Sequence, residues 1–279
     1  MTGRLAGLSA VKREAYRRLR SRAAGPLVTM RHGDGPGLVL VHPVGGALLC
    51  YMPLLARLPR GMPVVGFAAD EPDEELTDDA RIAGLAACYL AALDQALPWL
   101  YAGWSFGGAV AYEMGRAAGR PVLMIDTDPN GREPGITPDE ATIRWYFAHD
   151  LARLVGVPEA EIRRARAGAA SSTVADLLRQ LGVQADLTDS ELAARYRLFA
   201  ANTRALSAYR PGRYDGPVTW VGPPRPAGNA WTLYCPGLRV HEVPGTDHYT
   251  LLDAAHVDVV AGHVVATLTE DGRDGLWLQ

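Results

Sequence analysis

The chain has 279 residues, 48% of them apolar, and a formal net charge of −3, enough for one large α/β domain or two small ones with a sizeable core. That charge balance speaks against nucleic acid as a main partner. No apolar run reaches the ~18 residues of a membrane span, and the basic N-terminus lacks an apolar stretch behind it, so neither a membrane anchor nor a secretory signal is expected. In chain order, residues 8–22 (LSAVKREAYRRLRSR) predict a basic amphipathic helix, with Leu8, Val11 and Leu19 as its apolar positions. Residues 38–42 (LVLVH) form a continuous apolar run, the pattern of a parallel strand buried on both faces. A helix over 50–58, a strand over 64–67 and a long helix over 79–97 follow. The acidic stretch 70–79 (DEPDEELTDD) reads as a solvated loop.

A short strand over 99–102 then runs into Gly103-Trp104-Ser105-Phe106-Gly107, a GxSxG pattern, and a helix over 108–118. A serine in a sharp turn between strand and helix is a nucleophile elbow, which holds the hydroxyl above the sheet edge. Small flanking residues are required because the backbone is tight there. Residues 121–126 predict the next strand, 217–221 and 238–243 two more, and 256–268 a closing helix. Strands alternating with helices imply an α/β fold: a mostly parallel sheet with helices on both faces.

Residues 131–210 break the rhythm. They carry only helical spacings: Ile143, Phe147, Leu151 and Leu154; Val174, Leu177, Leu178 and Leu181; then Leu192, Tyr196, Phe199, Thr203 and Leu206. Thr188 and Glu191 have the spacing of a capping box. Such an insert between two strands reads as a helical lid over the carboxyl edge of the sheet, where α/β folds bind ligands.

A serine hydroxyl needs a base, and the base needs an orienting partner. Of seven histidines, His248 sits in the turn-rich loop Pro244–Tyr249, after the last strand and before the closing helix. The order serine, acid, histidine in hydrolases of this architecture selects it. His241 is predicted within a strand, His256 and His263 within the closing helix, and His42 precedes the serine. Residues 222–240, where many such enzymes carry the acid, contain no Asp or Glu. Asp126, at the end of the strand expected beside the elbow, is the candidate acid and Asp128 its competitor; Asp247 adjoins the histidine and would point away. An oxyanion hole needs two backbone N–H groups. Phe106 supplies one, and the loop Pro43-Val44-Gly45-Gly46 the other, with Val44 first and Gly45 second.

The stretches GWSFGGAVAYEM, VHPVGGALLCYMPLLARLP and GTDHYTLL resemble the terminal thioesterase domains of nonribosomal peptide and polyketide synthases. RYRLFAANTRALSAYRP is similar to the last lid helix of that family, and LSAVKREAYRRLRSR to linkers that follow a carrier domain. The resemblance implies an α/β-hydrolase domain over 26–279 with its lid near 131–210, and residues 1–25 as an N-terminal helix or linker. It implies an acyl or peptidyl substrate delivered on the phosphopantetheine of a carrier protein, a Ser105 acyl-enzyme, and release by hydrolysis or macrocyclisation. In that family the acid follows the strand after the elbow helix, which again selects Asp126. Trp104 stands where stand-alone editing thioesterases usually carry histidine, so the chain resembles the chain-releasing domains more closely. It departs from the family after Phe67, where AADEPDEE lacks the expected Gly-rich turn. Trp104, Trp145, Tyr146, Phe147, Leu151 and Tyr249 are the expected substrate wall.

No cofactor is expected, and no CxxC or HxxxH spacing suggests a metal. Three cysteines, Cys50, Cys88 and Cys235, odd in number and far apart, suggest a reducing cytoplasmic setting. Two other classes compete: a free-ester hydrolase without a carrier partner, and a non-catalytic protein on the same fold. The second is disfavoured because serine, acid and histidine all occur in order.

Overall fold

The computed structural model describes residues 27–94, 97–129, 137–166, 173–183 and 188–273. The predicted helix over 8–22 and the linker over 1–25 lie outside the described residues. A seven-stranded sheet has the order β1-β3-β2-β4-β5-β6-β7. Its strands are β1 (Leu27–Arg31), β2 (Gly37–Val41), β3 (Val64–Phe67), β4 (Trp99–Trp104), β5 (Val122–Ile125), β6 (Val218–Gly222) and β7 (Arg239–Glu242). Only β1 runs antiparallel, pairing with β3 at the sheet edge. Every other neighbouring pair is parallel. The mostly parallel sheet follows the sequence expectation, and β1 is an addition to it.

Because β2 to β7 run the same way, their carboxyl ends share one edge, and the loops that leave them face one another across it. β4 sits centrally between β2 and β5. The elbow, the expected oxyanion loop and the candidate acid therefore occupy three adjacent strand ends.

The apolar runs are continuous because both sheet faces are covered. On one face Val39, Val41, Tyr101, Met124 and Trp220 pack with helices α2 (Arg81–Ala92) and α3 (Phe106–Ala118). On the other, Leu38, Leu40, Leu100, Leu123, Ile125 and Val221 pack with α1 (Met52–Arg57) and α8 (Val257–Arg273).

Between β5 and β6 lies the helical insert: α4 (Glu140–Leu154), α5 (Glu159–Ala165), α6 (Val174–Gln180) and α7 (Asp189–Ala208). α5 is shorter than the periodic segments and was not expected. The Thr188–Glu191 capping box is formed, and Thr173 with Asp176 forms a second one that starts α6. The insert has its own core, including Ile143, Phe147, Leu177, Leu178 and Phe199.

Candidate active site

Ser105 stands between β4 and α3 at φ 58° and ψ −125°, a conformation that L side chains rarely adopt. A non-glycine residue held there stores local strain, which the surroundings must impose. Several contacts impose it. Ser105 N–H donates to Ile125 O at 3.0 Å, and Gly108 N–H to Ser105 O at 3.0 Å. The Tyr51 hydroxyl accepts Trp104 N–H at 2.7 Å and donates to Val41 O at 2.6 Å, joining the elbow to the end of β2. The flanking glycines are steric requirements: a Cβ on Gly107 would lie 2.3 Å from Val41 O, and one on Gly103 2.2 Å from Gly107 C.

Phe106 is the first residue of α3, so its N–H has no intrahelical acceptor and points out of the helix start. Its ring stacks on His42 at 5.8 Å. The Pro43–Gly46 segment closes a turn, Gly46 N–H to Pro43 O at 2.9 Å. Asn202 Nδ2, from lid helix α7, donates to Val44 O at 3.0 Å. His42 is fully buried beneath this loop. Burial pushes its pKa down to about 4, against a smaller opposing effect of the Pro43 carbonyl. It is therefore neutral at pH 7, with Nδ1–H donating to Pro43 O at 2.7 Å and Nε2 accepting from Tyr89 OH at 3.0 Å.

Asp126 follows β5 directly, at φ 39° and 5% exposure. Its two oxygens face different partners: Oδ2 meets His248 Nδ1 at 2.6 Å, and Oδ1 meets Arg225 Nη2 at 2.7 Å. Burial would raise the pKa of this carboxyl, but the His248 hydrogen bond and charge, with Arg225 behind them, hold it below the usual range. Asp128 pairs with Arg225 and not with His248. Asp247 turns away: one oxygen caps the turn by accepting the N–H groups of Tyr249 and Thr250, and the other meets Arg153. Among the described residues no hydrogen bond joins His248 to Ser105; such contacts commonly tighten only once substrate is bound.

Of the other histidines, His149 pairs with Glu159 at 3.0 Å within the lid, and His256 Nδ1 donates to Thr250 O at 3.1 Å. His241 lies against His263, ring to ring at 3.9 Å.

The residues expected to form the substrate wall fall into two groups. Trp145, Tyr146 and Phe147 are buried within the lid's own core, where Phe147 faces Phe199 at 5.2 Å and Tyr196 at 5.5 Å. An insert of several helices needs a core, and these aromatics supply it. Trp104 is also buried, its ring packed against that of His248 at 4.8 Å. Leu151 and Tyr249 stay half-buried. Tyr249 meets the lid: its hydroxyl lies 3.2 Å from His149 Nδ1, and the Arg153 guanidinium sits 5.1 Å from its ring. With the Arg153–Asp247 ion pair at 2.7 Å, these contacts tie α4 to the loop that carries His248.

Arg225, Tyr51 and Asn202 were missed from sequence. Trp220 and Trp231 were missed too: both indole N–H groups donate to Thr127 O, at 3.0 and 2.8 Å, clamping the loop that carries Asp126. The acid-free stretch 222–240 carries two arginines, Arg225 and Arg239, so composition alone does not single out Arg225. Among the described residues no cluster of His, Cys, Asp and Glu could hold a metal, and no helix is long and apolar enough to cross a membrane.

Residues 36–133 match the family model described as thioesterase domain. The chain is 31% identical to pyochelin synthetase PchF of Pseudomonas aeruginosa, over 84% of this chain and 15% of that one. It thus spans about 15% of the length of the curated relatives it matches. Among solved structures it resembles holo-AB3403, a four-domain nonribosomal peptide synthetase bound to AMP and glycine. That match has 26% identity and a TM-score of 0.71 over 94% of this chain and 22% of that one. It also resembles the NocB thioesterase domain in covalent complex with a fluorophosphonate nocardicin G analogue, with 25% identity and a TM-score of 0.60 over 85% of this chain and 96% of that one.

Proposed function

We infer, for a chain that belongs to the thioesterases and is related to the chain-releasing thioesterase domains of nonribosomal peptide synthetases, that Ser105 carries the acyl group during release from a carrier protein. The enzyme class is a thioester-cleaving hydrolase of α/β-hydrolase fold. Our reading of its parts takes residues 26–279 as the thioesterase domain, with the lid near 131–210, and residues 1–25 as a linker.

The observation that carries the proposal is the 2.6 Å bond between His248 Nδ1 and Asp126 Oδ2, at the sheet edge that also holds the strained Ser105. With Nδ1 protonated toward Asp126, Nε2 is left as the base. His248 takes the proton of Ser105 Oγ as the oxygen attacks the thioester carbonyl. The N–H groups of Phe106 and Val44 hold the oxyanion. The carbon–sulfur bond breaks, His248 returns the proton to the departing thiol, and an ester remains on Ser105. A second nucleophile then loses its proton to His248 and attacks the ester carbonyl. Water gives a free acid; a hydroxyl or amine of the same acyl chain gives a macrocycle. The carbon–oxygen bond to Ser105 breaks, and His248 reprotonates the serine.

The thiol belongs to the phosphopantetheine arm of an acyl or peptidyl carrier, so the proposal needs no cofactor of the protein's own. Relatives that are nonribosomal peptide synthetases support a carrier partner. Cys50, Cys88 and Cys235 are free thiols, which fits our reading of a reducing, cytoplasmic setting. Turnover of a carrier-bound acyl thioester against a small soluble ester tests the assignment. A strong preference for the carrier-bound substrate is expected; a strong preference for the free ester would reject it.

A further inference from the structure

We propose that Arg225 is a positioning residue for the reaction: it holds Asp126 ionised and turned toward His248, and Asp128 moderates its hold. The inference rests on the assignment of His248 as the base, and no sequence motif pointed to it. Arg225 lies in the loop after β6 and reaches back to the end of β5. Its Nη2 meets Asp126 Oδ1 at 2.7 Å, and its guanidinium also pairs with Asp128. The guanidinium is itself fixed, 4.8 Å from the Trp220 ring, while its backbone N–H donates to Glu242 Oε1 at 2.8 Å. One oxygen of Asp126 is therefore occupied by a cation, and the other is left for His248. This sets the plane of the carboxylate, and with it the orientation of the imidazole.

The electrostatic consequence has a definite sign. The His248–Asp126 pair can hold one extra proton, on either partner. A neighbouring cation disfavours that proton wherever it sits. Arg225 thus favours the ionised Asp126 carboxylate, which the His248 hydrogen bond and charge also hold below the usual range against its burial. Asp128 partly neutralises Arg225 and opposes this effect. The other charged or titratable groups nearby are Glu242 at the end of β7, Tyr249 and Asp247 beside His248, and Arg153 and His149 reaching that loop from α4. None of these contacts Asp126, whose two oxygens are taken by His248 and Arg225.

The test is the titration midpoint of His248 in the full chain, followed by NMR of the imidazole and assigned with His248→Gln. The pH profile of Ser105 acylation is measured alongside. Arg225→Met is expected to move both midpoints up by about one pH unit. Arg225→Lys, which keeps the charge, should leave both midpoints close to the wild-type ones. Asp128→Asn should move the midpoints in the opposite direction. An unmoved midpoint in Arg225→Met, or shifts of the same sign in Arg225→Met and Asp128→Asn, would overturn the proposal. Should Arg225→Met not fold, Asp128→Asn decides it: a downward shift supports the proposal, and an unmoved or raised midpoint overturns it. Failure of wild-type Ser105 to acylate would instead reject the acyl-enzyme assignment, and the NMR midpoints would still decide the role of Arg225.

Discussion

Asn202 Nδ2, on lid helix α7, donates to the carbonyl oxygen of Val44 at 3.0 Å, across 158 positions of sequence. The lid therefore holds the loop that carries Val44, the proposed source of one oxyanion N–H. Asn202 is fully buried, so losing its donor leaves the Val44 carbonyl without that partner in a dry site. Asn202→Leu, similar in size, is expected to slow Ser105 acylation about 10-fold to 100-fold. Rapid-quench acylation rates, with a thermal melt to show that the fold persists, check this.

Tyr51→Phe removes one hydroxyl that serves two buried backbone groups, Trp104 N–H and Val41 O. The expected loss is about 2 kcal/mol of folding stability, read from denaturant midpoints. Acylation should fall with it, because the same hydroxyl joins the elbow to β2.

Asp126 and Asp128 both contact Arg225, but only Asp126 meets His248. Asp126→Asn is expected to lower kcat by about 10³-fold or more. Asp128→Asn should stay within a few-fold at its pH optimum. Steady-state kinetics on a thioester substrate separate the two, and equal losses would contradict the assignment of the acid.

Much of the fold can be read from the sequence because a parallel sheet covered on both faces writes itself as apolar runs. Residues 38–42, 64–67 and 99–102 are such runs. β1 was missed because LVTMR pairs on one side only and ends in Arg31, whose guanidinium reaches the carbonyl oxygens of Leu58 and Pro59. The strained turn at Ser105 and the loop that brings His248 to Asp126 were legible through turn chemistry and chain order. Arg225 and Tyr51 were not, because their partners Asp126 and Trp104 lie 99 and 53 positions away. Periodicity over 143–154 correctly predicts that Phe147 is buried, but not against what. Phe199 and Tyr196, some 50 positions on, take that face.

His42 gives the protein a pH-dependent stability. Its folded pKa, pushed down to about 4 by burial, lies below the unfolded value near 6.5. Between those values the unfolded chain binds the proton and the folded one does not, so stability is lost as pH falls from about 6.5 toward 4. The loss from this residue amounts to about 3 kcal/mol. Asp126 acts lower on the scale: held down in the fold, it contributes stability above the ordinary carboxylate range that disappears as pH falls through its folded value. Thermal melts between pH 7 and 4 should show the His42 slope in wild type and a flatter one in His42→Gln.

In the proposed reaction Ser105 carries the acyl group between the two steps. Intact-mass spectrometry of the protein after brief exposure to a carrier-bound acyl thioester detects that adduct. The expected result is one added acyl mass, mapped to the Ser105 peptide, absent in Ser105→Ala and accumulating slowly in Asp126→Asn. Turnover of the thioester without any adduct on Ser105, or an adduct that survives in Ser105→Ala, would contradict it.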